Sequence, residues 1–345
     1  MPRIFSAIFL LLGVLVFSCN NSEEKKADPK DNEKASLKKT GSFEVLDPAF
    51  LDLVDTTAGI DILAEGFDWS EGPVWVEKGN YLLFSDIPPN KVMKWSEAKG
   101  LETYLHPSGY TGNDPRAGES GSNGLILDAE GHLVLCQHGD RRVARMETST
   151  DSPAVKFVTL VDKFEGKRLN SPNDAVFHKN GELYFTDPPY GLLKNVDDSS
   201  KEIPFQGVYR VKKDGSVQLV TKTMTRPNGI AFSPDYSKLY VANSDDPSKI
   251  WNVFDVAADG STSNERLFYN ATDIKDPGAP DGLKVDSKGN LFATGPGGVW
   301  VFSPQGKVLG KIKPGQLCSN VAFNSDQSAL FITSDPWLTR VKLKK

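Results

Sequence analysis

Glu71, Asn123, Asn173, Asn228, Asp281 and Ser319 each head a short apolar run of one form. The runs are Glu71-Gly-Pro-Val-Trp, Asn123-Gly-Leu-Ile-Leu, Asn173-Asp-Ala-Val-Phe, Asn228-Gly-Ile-Ala-Phe, Asp281-Gly-Leu-Lys-Val and Ser319-Asn-Val-Ala-Phe. Two carboxylates and three amides brought to one place cannot satisfy one another, and two buried like charges are costly without a cation. Oxygen donors of this mixed kind suit a hard divalent ion, with calcium expected first; the six positions lack the His and Cys that zinc favours. Magnesium, manganese and zinc are alternatives. A hydrogen-bonded polar plug is the other reading, and two acids with no base opposite them count against it.

What brings these positions together is the repeat itself. Most runs pass through a polar turn, such as Asp128-Ala-Glu-Gly or Asp286-Ser-Lys-Gly, into a second apolar run, which predicts an antiparallel hairpin. A hairpin unit that cannot bury its own faces stacks on its neighbours. Six copies therefore predict an all-β, six-bladed β-propeller with four-stranded blades and the polar first positions around its axis. The first positions lie 50 to 55 residues apart, except the last pair, 38 apart, which approximates one blade without extra loops. The last copy supplies only three strands. The stretch 60–65, just before the first copy, is expected to complete the C-terminal blade and close the ring.

A second set, Asp86, Gln137, Asp187, Asn243, Gly295 and Ser334, falls at the ends of the returning strands and so at the same mouth. Beside it stand His138 and Tyr190. The Gly/Ser-rich stretch from Pro107 to Ser122 runs into Asn123 and must reach that mouth as well; a loop of such length in a compact domain is more often functional than idle. Cys136 and Cys318 sit in non-adjacent copies and read as small buried residues, not a disulfide.

The runs above, with Ser171-Pro-Asn-Asp, Tyr184-Phe-Thr-Asp-Pro-Pro-Tyr-Gly, Arg226-Pro-Asn-Gly-Ile-Ala-Phe-Ser and Pro280-Asp-Gly-Leu, resemble the gluconolactonase, regucalcin and luciferin-regenerating-enzyme family in order over residues 43–343. The resemblance implies a six-bladed propeller with a divalent metal, often calcium, in its central channel, and an architecture related to calcium phosphotriesterases. Residue by residue it puts the family's metal-binding Glu on Glu71, its Asn on Asn228 and its Asp on Asp281. Asn173 matches an Asn that binds the metal or the substrate, and Asn123 falls on the substrate side.

The function expected is hydrolysis of a sugar lactone such as gluconolactone. Asp281 is expected as base with Glu71 as fallback, and Asn123, Asn173, His138 and Tyr190 as the groups that orient the substrate's hydroxyls. A phosphotriesterase or other esterase at the same metal, and a binding module without turnover, are the alternatives. A formal net charge of −5 with no basic face argues against a nucleic-acid partner.

Ahead of this domain, taken as residues 42–345, Arg3 precedes an apolar run from Ile4 to Phe17 that has the layout of a secretory signal. Leu15-Val16-Phe17-Ser18-Cys19 resembles a bacterial lipobox. Residues 1–18 are thus expected to be a lipoprotein signal peptide, Cys19 the lipid attachment point, and residues 19–41, rich in Lys, Glu, Asp and Ser, a flexible tether. The expected location is that of an exported bacterial lipoprotein, periplasmic or anchored at the outer membrane.

Overall fold

The computed structural model describes residues 37–344. The expected signal peptide, Cys19 and the expected tether up to residue 36 lie outside the described residues. Six antiparallel sheets, each running outward from a strand next to the axis, make the six-bladed propeller expected from the repeats. Blade 1 consists of Ser70–Val76, Tyr81–Asp86, Lys91–Ser96 and Gly100–Leu105. Blade 2 begins at Ser122–Leu127, blade 3 at Ala175–Phe177, blade 4 at Pro227–Phe232, blade 5 at Leu283–Val285 and blade 6 at Asn320–Phe323.

The ring closes as the count of strands requires. Ile60–Glu65 pairs antiparallel with Trp337–Lys342, so the fourth strand of the C-terminal blade comes from the start of the domain. Two further segments add fifth strands: Lys39–Thr40 beside Ile60–Glu65, and Ser42–Val45 against Val308–Lys313 of blade 5. Paired backbone therefore begins at Lys39, three residues before the boundary read from composition. Lys39 can pair because an edge strand needs only backbone donors and acceptors, which composition does not report.

Side chains alternate along each strand, so every blade presents apolar residues to both neighbours. Trp75 of blade 1 stacks on Phe331 of blade 6, with ring centroids 5.3 Å apart. Tyr184 of blade 3 meets Phe232 of blade 4 edge to face at 5.0 Å, and Trp251 of blade 4 packs on Trp300 and Phe302 of blade 5. Each side chain of this kind that is fully buried, such as Tyr184, Trp251 and Phe302, contributes roughly 1.5–3 kcal/mol, which makes the contacts between blades the main cohesion of the ring. Cys136 and Cys318 are free and buried within this packing.

Candidate active site in the propeller channel

Two local features aim the first-position side chains at the axis. The ladder between the first two strands slips by a bulge at or just after the first position in three blades, between Glu71 and Val74, Ser122 and Leu125, and Pro227 and Ile230. A bulge re-aims the side chain beside it. The next residue is glycine in four copies because adjacent blades meet there backbone to backbone. A Cβ on Gly72 would lie 2.1 Å from the Asn123 carbonyl oxygen, and one on Gly229 would lie 2.2 Å from that of Asp281. In the other two copies the position holds Asp174 and Asn320. Their side chains fill the space that Cβ atoms on Gly124 and Gly282 would need.

The second set of polar residues has a structural task. Asp86 accepts the Asp68 and Trp69 N–H groups, Asp187 accepts those of Asn170 and Ser171, and Asn243 accepts that of Arg226. Each fastens the segment that enters the first position of its own blade.

Glu71, Asn123, Asn173, Asn228 and Asp281 line one cavity of about 570 Å³, together with Trp69, Glu119, Tyr190, Ser244 and Lys249. Ser319, the sixth first position, does not join them. Its hydroxyl is turned into the blades, donating to the Ser70 carbonyl at 2.6 Å and pairing with Thr333 Oγ1 at 2.7 Å. His138 is also not brought to the wall. It is fully buried, with Nδ1 3.2 Å from Glu119 Oε2, so it meets the cavity only through Glu119. Tyr190 does reach the wall, and its hydroxyl donates to the Ser244 carbonyl at 3.1 Å.

The Oδ1 atoms of Asn123, Asn173, Asn228 and Asp281 are buried without a hydrogen-bond partner among the described residues. Such acceptors are costly to bury unpaired, and together they form a cradle of oxygens for a cation. Glu71 and Asp281 line the same wall, and the Glu71 charge acts on the Asp281 carboxyl. Burial first, then the Asp174 charge, pushes Glu71 up to about 7; burial first, then Glu71, pushes Asp281 well above the usual carboxylate range. A divalent cation would remove both penalties, so the donor set fits a hard ion. Asn123 has the same standing here as Asn173 and Asn228, although its sequence position suggested a substrate contact only.

Below this tier runs a chain that sequence reasoning missed. Asn320 Nδ2 donates to Glu71 Oε2 at 3.1 Å, Lys284 Nζ lies 3.4 Å from Asn320 Oδ1, and Lys284 Nζ lies 3.8 Å from Asp174 Oδ2. The signal was present in the residue after each first position, where Asp174 and Asn320 break a column of glycine. Glu119 was missed by name, but its loop was expected at this mouth, and the loop arrives there. Among the described residues Asp128, Glu130 and His132 also approach within 4.8 Å of one another, in the turn after the first strand of blade 2. That turn is one strand length, about 17 Å, from the first positions. Asp128 Oδ1 there accepts the Glu130 and His132 N–H groups, as an ordinary turn requires.

Residues 69–335 match the family model described as the SMP-30/Gluconolactonase/LRE-like region. The chain belongs to this family. It is 40% identical over 314 residues to a gluconolactonase of Zymomonas mobilis, covering 88% of this chain and 86% of that protein. A solved gluconolactonase structure from Xanthomonas campestris superposes with a TM-score of 0.76 at 31% identity, covering 90% of this chain and 98% of the other. A pentonolactonase of Haloferax volcanii is 23% identical over 269 residues, with 76% and 80% covered. The family match runs from the first strand of blade 1 into blade 6.

Proposed function

We propose that this chain hydrolyses a neutral sugar lactone in the propeller channel, with calcium as the resident ion. The observation that carries this is the cradle of unpartnered oxygens on Asn123, Asn173, Asn228 and Asp281, with Glu71 beside them, at the wall of a cavity sized for a sugar ring. Family membership and the lactonase relatives support the reaction. Glu71, Asn173, Asn228 and Asp281 would hold the ion, with the Asn123 oxygen available beside them. A bound divalent cation polarises an ester carbonyl and lowers the pKa of water.

The chain's own residues supply the rest. Water adds to the lactone carbonyl carbon, and the Asp281 carboxylate at the cavity wall takes its proton. The bond from that carbon to the ring oxygen then breaks, and the departing oxygen gains a proton to leave an open-chain hydroxy acid. Amides that donate and accept suit the orientation of sugar hydroxyls. Asn123 is placed for this, Glu119 can accept from a hydroxyl, and Trp69 gives the cavity an apolar side. Tyr190 acts as a neutral hydrogen-bonding group, because burial and the nearby Asp281 hold its hydroxyl well above the usual phenol range.

The test is acid release from gluconolactone and other aldonolactones by the purified chain, with calcium or with chelator. A rate above the spontaneous one that is lost on chelation and restored by calcium supports the proposal. A chain that cleaves a phosphotriester but no lactone would overturn it.

We also infer export and lipid attachment at Cys19 from the lipobox layout of residues 15–19. Among the described residues no helix is long and apolar enough to cross a membrane.

A further inference from the structure

Arginine stays charged in proteins, so a buried guanidinium needs a counter-charge or a full set of acceptors. Arg141, between the second and third strands of blade 2, is only 3% exposed. Its Nε donates to the Leu169 carbonyl at 2.7 Å and its Nη1 to the Ser200 carbonyl at 2.9 Å, while Nη2 is buried with no partner. Arg116, from the loop that ends at Asn123, gives both terminal nitrogens to the Gly139 and Gly191 carbonyls, and its Nε is likewise buried and unpartnered. Arg168 presents an exposed side chain beside them. Arg116, Arg141 and Arg168 line one cavity of about 410 Å³ with Tyr110, Lys194 and Asp198. Among the described residues none of these three guanidiniums lies within 4.0 Å of a carboxylate.

The acids around this cavity are committed elsewhere. Asp187, pushed up to about 7 by burial, accepts the Asn170 and Ser171 N–H groups. Glu202 accepts the Arg168 backbone N–H, and Asp198 accepts the Lys194 and Ser200 N–H groups. Three guanidiniums and the Lys194 ammonium thus face one lining carboxylate, Asp198. Burial, and then the neighbouring Arg168 charge, push the Arg141 guanidinium below its ordinary range, while the Asp187 and Glu202 charges act in the opposite sense.

We propose that this cavity is a second binding site, separate from the channel, for a small oxyanion: a phosphate or carboxylate group that accepts from Arg141 Nη2 and the Arg168 guanidinium. Planar guanidiniums match both anions in geometry, and each charge-assisted bond is stronger than a neutral one. The site lies behind the active-site loop and shares Arg116 with it. Gly139 and Gly191, which Arg116 holds, are the neighbours of His138 and Tyr190.

Calorimetric titration of the full chain, in chelator and at constant ionic strength set with chloride, tests this with inorganic phosphate in one arm and acetate in the other. Saturable one-to-one binding is expected. Binding of phosphate alone assigns a phosphoryl ligand, and binding of acetate alone a carboxylate. Arg168→Gln changes an exposed side chain, so the fold survives it, and it should weaken binding about tenfold or more. Asp281→Asn, in the channel, should leave binding unchanged. Arg141→Gln, checked by circular dichroism for folding, should abolish it. No saturable binding of either anion overturns the proposal, as does binding indifferent to Arg168→Gln or lost with Asp281→Asn.

Discussion

Buried carboxylates without their ion should make the metal-free protein lose stability as pH rises. Glu71 has an ordinary value of 4.5 and is pushed up to about 7 in the fold. Between those values the folded state keeps a proton that the unfolded chain has released. Stability therefore falls with each pH unit, by about 1.4 kcal/mol for one group. Across the whole window the loss is about 3 kcal/mol, and Asp281, displaced in the same direction, adds to it. For a domain of this size that corresponds to a drop in midpoint on the order of 5 °C or more. The assay is thermal unfolding followed by circular dichroism at about pH 5 and pH 8, in chelator and in saturating calcium. The chelated protein should unfold at lower temperature at the higher pH. The calcium-loaded protein should not, because the ion displaces the protons and its stabilisation grows with carboxylate ionisation. Glu71→Gln should flatten the pH dependence of the chelated protein. A chelated parent equally stable at both values would refute the reasoning, since the carboxylates would then be satisfied without a cation.

Asp281→Asn keeps an oxygen ligand but removes the proton acceptor, so lactone turnover should fall by about 100-fold or more and stay low at saturating calcium, as kcat against calcium concentration would record. Lys284→Met leaves Asp174 buried and unpaired and should cost about 2 kcal/mol in denaturant unfolding, with Asp174→Asn in the same chain restoring most of it. Gly229→Ala drives a Cβ into the Asp281 carbonyl and should destabilise by roughly 1–3 kcal/mol while weakening calcium binding measured by calorimetry. Cys19→Ala should release the chain from the membrane fraction of the producing cell if the lipid is its anchor, and unchanged fractionation would count against lipidation.

The sequence by itself determined the architecture, because a hairpin repeated six times with regular apolar faces has few ways to bury them. The closing strand at Ile60–Glu65 followed from counting strands, and five of the six axial positions followed from their place in the repeat. Ser319 did not, because whether a short hydroxyl faces the axis or the blade depends on acceptors such as the Ser70 carbonyl, 249 residues away in the chain. His138 sits at the right strand end yet behind Glu119, a difference in depth that spacing along a strand cannot express. The Asp174, Lys284 and Asn320 chain joins blades 3, 5 and 6 beneath the first positions. Likewise the Arg116, Arg141 and Arg168 cavity joins a loop to blades 2 and 3. Periodicity reports which face of a strand a residue occupies; only closure of the ring decides which charges from distant blades share one low-dielectric space, and so which of them need an ion.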